Sequence, residues 1–285
     1  MVRARADLHT HSAYSDGSDT PAVLVRKAEE MELGGIALTD HDTIEGLKDF
    51  MDAASGANLI GVPGVEISTE EDDKEVHVLG YFVPLNSEKL RDRLETLSTA
   101  REVRFPKMVE KLRKLGIEVT QKEVDEVLHG VESPGRPHLA RLLVRMGAVK
   151  DTTEAFRLYL GNGKPAYVKK ERMGTVEAIR LLRSVGGVPV IAHPLTIETP
   201  DLRGFIEKLQ KAGAVGVEVE YDYVTVGIAG TPEDVRATIQ GLGFIETGGS
   251  DYHGDIAMAR LGAATVDVET IERLRKAAEL IVSEG

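Results

Sequence analysis

Cysteine is absent from this 285-residue chain, which removes disulfides, thiolate nucleophiles and sulfur-ligated zinc in one step. Any metal would therefore sit on imidazole and carboxylate, a donor set suited to Mn, Fe, Zn or Mg. Long apolar runs are missing too. No stretch approaches the ~18 residues of a membrane span, and the opening Met-Val-Arg-Ala-Arg-Ala-Asp lacks the apolar segment of a signal peptide, so a cytoplasmic protein is expected. Positive charge is in deficit. The formal net charge of −12 argues against a general nucleic-acid binder and against stable binding of a duplex.

What is present has the proportions of an ordinary globular chain, with 42% apolar and 29% charged residues, and a length that suits one large α/β barrel or two smaller domains. The charge is unevenly spread. Residues 98–172 hold 16 Lys and Arg against 10 Asp and Glu, a net of +6, while the remainder carries −18. A basic segment set into an acidic body points to local anion binding.

Histidine is scarce, with eight in the chain, and its placement is informative. His9 and His11 are two apart in Asp7-Leu8-His9-Thr10-His11-Ser12, so on an extended strand both imidazoles point to one side. Asp16 follows in a Ser-Asp-Gly turn. A His-x-His pair alone is more often structural than a ligand. Here, however, Asp40-His41-Asp42, Gly64-Val65-Glu66, His77, Ala192-His193-Pro194 and Ser250-Asp251-Tyr252-His253 each follow or interrupt an apolar, strand-like run. The candidate ligands are His9, His11, Asp16, His41, Glu66, His77, His193, Asp251 and His253, too many for one ion, so two or three divalent metals are implied. A carboxylate such as Glu66 can bridge two ions, and such a site suits phosphoester hydrolysis. Asp40 and Asp42 are expected to orient His41 or shape its loop. His129 falls outside every motif.

Strands are expected at residues 3–9, 36–39, 58–68, 76–82, 188–192, 215–219 and 244–248. Helices are expected from Thr20-Pro21 to Leu33 and at 44–55, 175–184, 202–212 and 232–241. Glu70 to Lys74 reads as an acidic turn. Between residues 87 and 164 the spacing becomes helical: Leu90, Leu94 and Leu97, then Met108, Val109, Leu112 and Leu115, then Leu139, Leu142, Leu143 and Met146 recur at three- and four-residue steps. Alternating strand and helix predicts a parallel sheet, and polar residues gathered at strand ends favour a closed or nearly closed barrel.

The motifs Asp-Leu-His-Thr-His-Ser…Ser-Asp-Gly at 7–17, Thr-Asp-His-Asp at 39–42, Gly-Val-Glu at 64–66, Ala-His-Pro at 192–194 and Ser-Asp-Tyr-His at 250–253 resemble, in order, those of the PHP (polymerase and histidinol phosphatase) family. The resemblance implies an α/β fold, a distorted (β/α)7 TIM-like barrel formed by residues 1–97 and 168–285, with a helical insertion at 98–167. It also implies a trinuclear centre, most readily of Mn, with Fe or Zn as alternatives. His9, His11, Glu66 and Asp251 would hold one ion, Glu66 with His77 and His193 a second, and Asp16, His41 and His253 a third; Glu66, His193 and Asp251 would carry the catalysis. Arg101-Glu102-Val103-Arg104, Gly135-Arg136-Pro137-His138 and Gly163-Lys164-Pro165 resemble the insertion of the 3′,5′-nucleoside bisphosphate phosphatases and 5′→3′ exoribonucleases. Arg101, Arg104, Gly135, Arg136 and His138 would then bind substrate. His138 has a second reading as the cap of the following helix. The resemblance implies hydrolysis of a nucleotide phosphomonoester by a metal-activated hydroxide, with short 5′-phosphorylated RNA as a further substrate. Histidinol phosphate hydrolysis and a non-catalytic binding module are the competing readings.

Overall fold

The computed structural model describes residues 4–128, 135–168, 172–254 and 259–284, with 98–103 described as backbone only. The chain runs β1 (Arg5–Asp7), α1 (Pro21–Glu30), β2 (Gly35–Leu38), α2 (Leu47–Ser55), β3 (Ile60–Glu71) and β4 (Lys74–Tyr81). Helices α3 (Glu88–Lys114), α4 (Gln121–Val127), α5 (Arg136–Arg145) and α6 (Thr152–Ala155) follow, and a π turn (Phe156–Leu160) continues α6. The α/β rhythm resumes with β5 (Met173–Gly174), α7 (Thr175–Ser184), β6 (Val188–Ile191), α8 (Leu202–Ala212), β7 (Gly216–Glu220), α9 (Pro232–Ile239) and β8 (Ile245–Gly248), and ends with β9 (Val266–Asp267) and α10 (Glu269–Glu284).

The strand order β8-β7-β6-β4-β3-β2-β1-β9 closes on itself where the Leu8 N–H donates to Gly248 O at 3.1 Å and Thr10 bridges Tyr252 in parallel. The result is the expected distorted barrel, with one correction. β4 is antiparallel to both β3 and β6, because the β3–β4 connection is only Asp72-Asp73, too short for a parallel crossover. Both aspartates have positive φ, 49° and 60°, as a two-residue primed hairpin turn demands. The expected acidic turn therefore shrinks to two residues, and Glu70 and Glu71 belong to the strand.

The first helix begins as expected, with Thr20 Oγ1 accepting from the Val23 N–H and Pro21 at its first position. It stops at Glu30 rather than Leu33. Glu32 turns left-handed (φ 57°), which lets Leu33 drop into the core, where it is fully buried. Small and aliphatic side chains of the strands, among them Ala6, Leu8, Ala37, Val62, Leu79 and Val190, fill the barrel, and Ile271 and Leu274 of α10 pack in the same cluster.

Across Pro106, α3 is one 27-residue helix. Leu90, Leu94 and Leu97 pack into the barrel-side cluster, whereas Phe105, Met108, Val109 and Leu112 join Leu139, Leu142, Leu143 and Leu160 in a second apolar cluster. The basic helical region thus has a core of its own. Among the described residues, no helix is long and apolar enough to cross a membrane.

Candidate metal centre

The expected ligands gather at one mouth of the barrel. His9 and His11 follow β1, His41 follows β2, His193 follows β6, and Asp251 and His253 follow β8, as barrel sites are built from strand C-terminal ends. Because β4 runs the other way, its ligand His77 lies near the strand's start, opposite Ser68 of β3. Three groups converge with donor atoms within 4.8 Å of one another: His9, His11, Glu66 and Asp251; His11, Asp16, His41 and His253; and His41, Glu66 and His77. His193 lies outside these groups, yet its Nε2 is 3.1 Å from Glu66 Oε1.

Glu66 is the centre of the arrangement. Its Oε1 faces His77 Nδ1 at 2.8 Å and His193 Nε2 at 3.1 Å, while Oε2 faces His41 Nδ1 at 2.9 Å, His9 Nε2 at 3.3 Å and His11 Nε2 at 3.4 Å. His9, His11 and Glu66 are fully buried, and His9 Nε2, both ring nitrogens of His11, Asp16 Oδ1, His41 Nδ1 and Glu66 Oε2 lack a hydrogen-bond partner of acceptable geometry. Buried polar atoms are normally satisfied. Orphaned donor atoms aimed at one another, all imidazole or carboxylate, fit divalent cations held between them.

Charge follows the same logic. Burial pushes the Glu66 carboxyl up, but His41, His77 and His9 hold it well below the usual range. Burial disfavours protonated imidazole, which takes His11 down to about 3. Against that same burial, Glu66 and Glu75 raise His77 to about 9, and Asp16 and Asp251 raise His253 to about 9. Ion binding must therefore displace protons. Relative to the ordinary 6.5, the raised values of His77 and His253 stabilise the metal-free fold fully below pH 6.5, and this contribution is lost as pH rises through about 9. Chelator-treated protein is expected to melt at progressively lower temperature between pH 6.5 and 9, and to release protons on Mn addition at pH 7, measured calorimetrically in buffers of different ionisation enthalpy.

Several supporting residues were not singled out by sequence reasoning. Glu218, fully buried on β7, accepts from His9 Nδ1 at 2.9 Å and from the His193 N–H at 2.8 Å. It thereby turns His9 Nε2 toward the cluster and holds His193, whose φ of 25° is unusual for a residue with a side chain. The signal was an acid embedded in the apolar run Val215 to Val219. Glu218→Gln is expected to lower metal affinity or kcat/KM by about ten- to a hundredfold, the usual cost of losing a residue that orients a ligand, as read by metal titration and steady-state kinetics. Tyr221 donates to Asp251 Oδ2 at 3.0 Å. Asp40 accepts from the Ser12 N–H and from the Ser12 and Ser15 hydroxyls, and Asp42 accepts from the Ser68 N–H, so both shape loops, as expected.

The helical region stands over this mouth. Arg104, Gly135 and Arg136 share one cavity with Asp16, His41 and His77. A third guanidinium joins them from the chain's return to the barrel: Arg172, which pairs with Glu75 at 2.6 Å and with Glu70 at 3.6 Å. Arg136 also reaches Glu75, at 3.2 Å. Burial and then Arg136 lower Arg104 to about 10, and its Nε and Nη2 lack partners. His138 is buried and caps α5, its Nδ1 accepting from the Gly135 N–H at 3.0 Å. The side chain of Arg101 and all of His129 lie outside the described residues.

Imidazole and carboxylate donors converging at a barrel mouth beside guanidinium groups define a class, the phosphoester hydrolases that use divalent metals. The family model of the PHP domain matches residues 7–139. The chain is 36% identical to a 5′-3′ exoribonuclease of Haemophilus influenzae over 66% of its own length and 68% of that protein. It is 34% identical to a 3′,5′-nucleoside bisphosphate phosphatase of Chromobacterium violaceum, over 76% of each. A crystal structure of a Bifidobacterium adolescentis protein assigned as a metal-dependent phosphoesterase superposes with a TM-score of 0.85 at 27% identity, covering 95% of this chain and 96% of that one. The chain belongs to the PHP family, and it is a phosphoesterase.

Proposed function

We propose that the protein removes a phosphate from a nucleotide that carries a second one, most simply the 3′-phosphate of a 3′,5′-nucleoside bisphosphate, and that short 5′-phosphorylated RNA is a further substrate. The observation that carries this reading is the cavity in which Arg104, Arg136 and Arg172 face the candidate ligands Asp16, His41 and His77. A phosphate at the barrel mouth leaves the guanidinium groups, set into one side of the same cavity, for another anion. Guanidinium matches phosphate with two parallel hydrogen bonds. The relatives named for a bisphosphate phosphatase and an exoribonuclease support the same class of substrate.

In this reading His9, His11, Asp16, His41, Glu66, His77, His193, Asp251 and His253 hold two or three divalent ions, most readily Mn, and residues 98–167 form the substrate-binding cap. When bound, the ions supply Lewis acidity toward the phosphoryl oxygens and activation of water. The chain's own part is placement. Glu218 and Tyr221 fix His9, His193 and Asp251, and the arginines orient the non-reacting phosphate. A hydrolysis screen with Mn tests the proposal, using adenosine 3′,5′-bisphosphate, adenosine 3′-monophosphate, histidinol phosphate and 5′-phosphorylated oligoribonucleotides. Preference for the bisphosphate or the oligonucleotides is expected. Equal or better turnover of histidinol phosphate would overturn it.

A further inference from the structure

Among the described residues, three cavities at the barrel mouth differ in chemistry. One holds Arg104, Arg136 and Arg172. A second, of about 610 Å³, takes in the candidate ligands Glu66, His193 and Asp251, with Asp72, Glu198 and the cation Lys74 also along its wall. The third, of about 350 Å³, touches Asp251 and His253 and is further lined by Pro137, Thr153, Thr225, Val226 and Arg141, whose guanidinium donates to the Asp16 carbonyl at 3.2 Å. Phe156 is, among the described residues, the one that borders all three.

Its position is built into the backbone. Ala155 and Leu160 are both fully buried in the helical region's core, yet residues five apart on a 3.6-residue turn point in different directions. The chain resolves this with a π turn, in which the Gly161 N–H donates to Phe156 O at 2.8 Å. Such turns are frequent at functional sites. The wider turn keeps Ala155 and Leu160 inside and leaves the Phe156 ring half-buried at the cleft, with the Arg136 guanidinium 5.6 Å from the ring centroid. Tyr221 also faces the cleft, but its hydroxyl is committed to Asp251. Phe156 has no polar group to commit, and its ring is held in place by packing against the helical region's apolar cluster.

We propose that Phe156 is the platform on which the substrate's nucleobase stacks, with the base seated in the cavity walled by Val226, Thr225 and Thr153. This rests on the reading of the substrate as a nucleotide and adds to it where the base goes. Arg104, Arg136 and Arg172 in the first cavity suit an anion, and the second takes in the candidate ligands that the reacting phosphate would meet; the third, whose Arg141 is already engaged with the Asp16 carbonyl, is left for the base. Every base has a π face, and stacking on an aromatic side chain tolerates any sequence.

The chain has no tryptophan, so Phe156→Trp installs a single indole at the site. In chelator-treated protein, adenosine 5′-monophosphate is expected to quench its emission saturably, while ribose 5-phosphate leaves it nearly unchanged. Equal quenching by the two would overturn the proposal. With Mn, Phe156→Ala is expected to raise KM for adenosine 3′,5′-bisphosphate by about ten- to a hundredfold, the usual range for a lost stacking contact. Its kcat should stay within about threefold, and KM for the abasic ribose 3,5-bisphosphate should not follow. A KM rise shared by both substrates, or seen with neither, would refute a base platform. Phe156→Leu, which keeps apolar volume but no π face, serves in place of the alanine variant if that one does not fold. The indole measurement needs no turnover, so it reads stacking even if the hydrolysis screen fails.

Discussion

Glu66→Gln is expected to lower phosphomonoester hydrolysis by more than about a hundredfold, exceeding the usual cost of losing a residue that only orients a ligand. Five imidazoles face its two oxygens within 3.4 Å, so one substitution disturbs every group of candidate ligands that contains them. Glutamine matches the shape and presents an amide where an ion needs a second carboxylate oxygen. The fold should survive. The imidazoles left without a counter-charge can shed their protons, which limits the destabilisation that a fixed buried charge would cause. Metal content by elemental analysis, kcat/KM and far-UV circular dichroism at pH 8 check this together. Loss of fold in proportion to loss of activity would count against a metal-bridging role.

The second large effect concerns binding. Arg104→Ala is expected to raise KM for adenosine 3′,5′-bisphosphate by about ten- to a hundredfold, equivalent to the roughly 1.5 to 3 kcal/mol of a charge-assisted hydrogen bond. Arg136→Ala and Arg172→Ala should act in the same direction but more weakly, because Glu75 already occupies part of each guanidinium's capacity and the substrate must displace it. Arg104, with Nε and Nη2 unpartnered, has no such competitor. Hydrolysis of p-nitrophenyl phosphate, which has no second anion, should change little. Arg104→Lys should fall between, since an ammonium keeps the charge and loses the fork. Equal loss with both substrates would place the arginines at the reacting phosphate instead.

The candidate ligands were legible in the sequence because all but Asp16, which sits in a Ser-Asp-Gly turn, stand in or just after an apolar strand, and the glycines, prolines and caps around those strands are local signals. The direction of β4 was less legible. Alternation of strand and helix suggested parallel pairing, and only the two-residue Asp72-Asp73 connection, which permits nothing but a hairpin, carries the opposite message. Glu218 was harder still. It reads as an ordinary acid on a strand until the fold sets it beside His9, 209 residues away. Arg172 stood at the far edge of the basic segment, where composition marks a region but not the side chain that turns inward. The π turn leaves its trace in the five-residue spacing of Ala155 and Leu160, a period that a search for ordinary helices passes over.

The closure of the barrel between β1 and β8 also governs when this site can exist. His9 and His11 both face Asp251 Oδ1, at 3.3 and 3.0 Å, and Asp7 accepts hydrogen bonds from the Ser250 N–H and hydroxyl across 243 residues. During synthesis from the N-terminus the early imidazoles must wait for nearly the whole chain. Contacts of such sequence separation form late and slowly. Until then, the nascent chain presents an unfinished set of donors with weak hold on any ion, and tight loading becomes an event of completed folding.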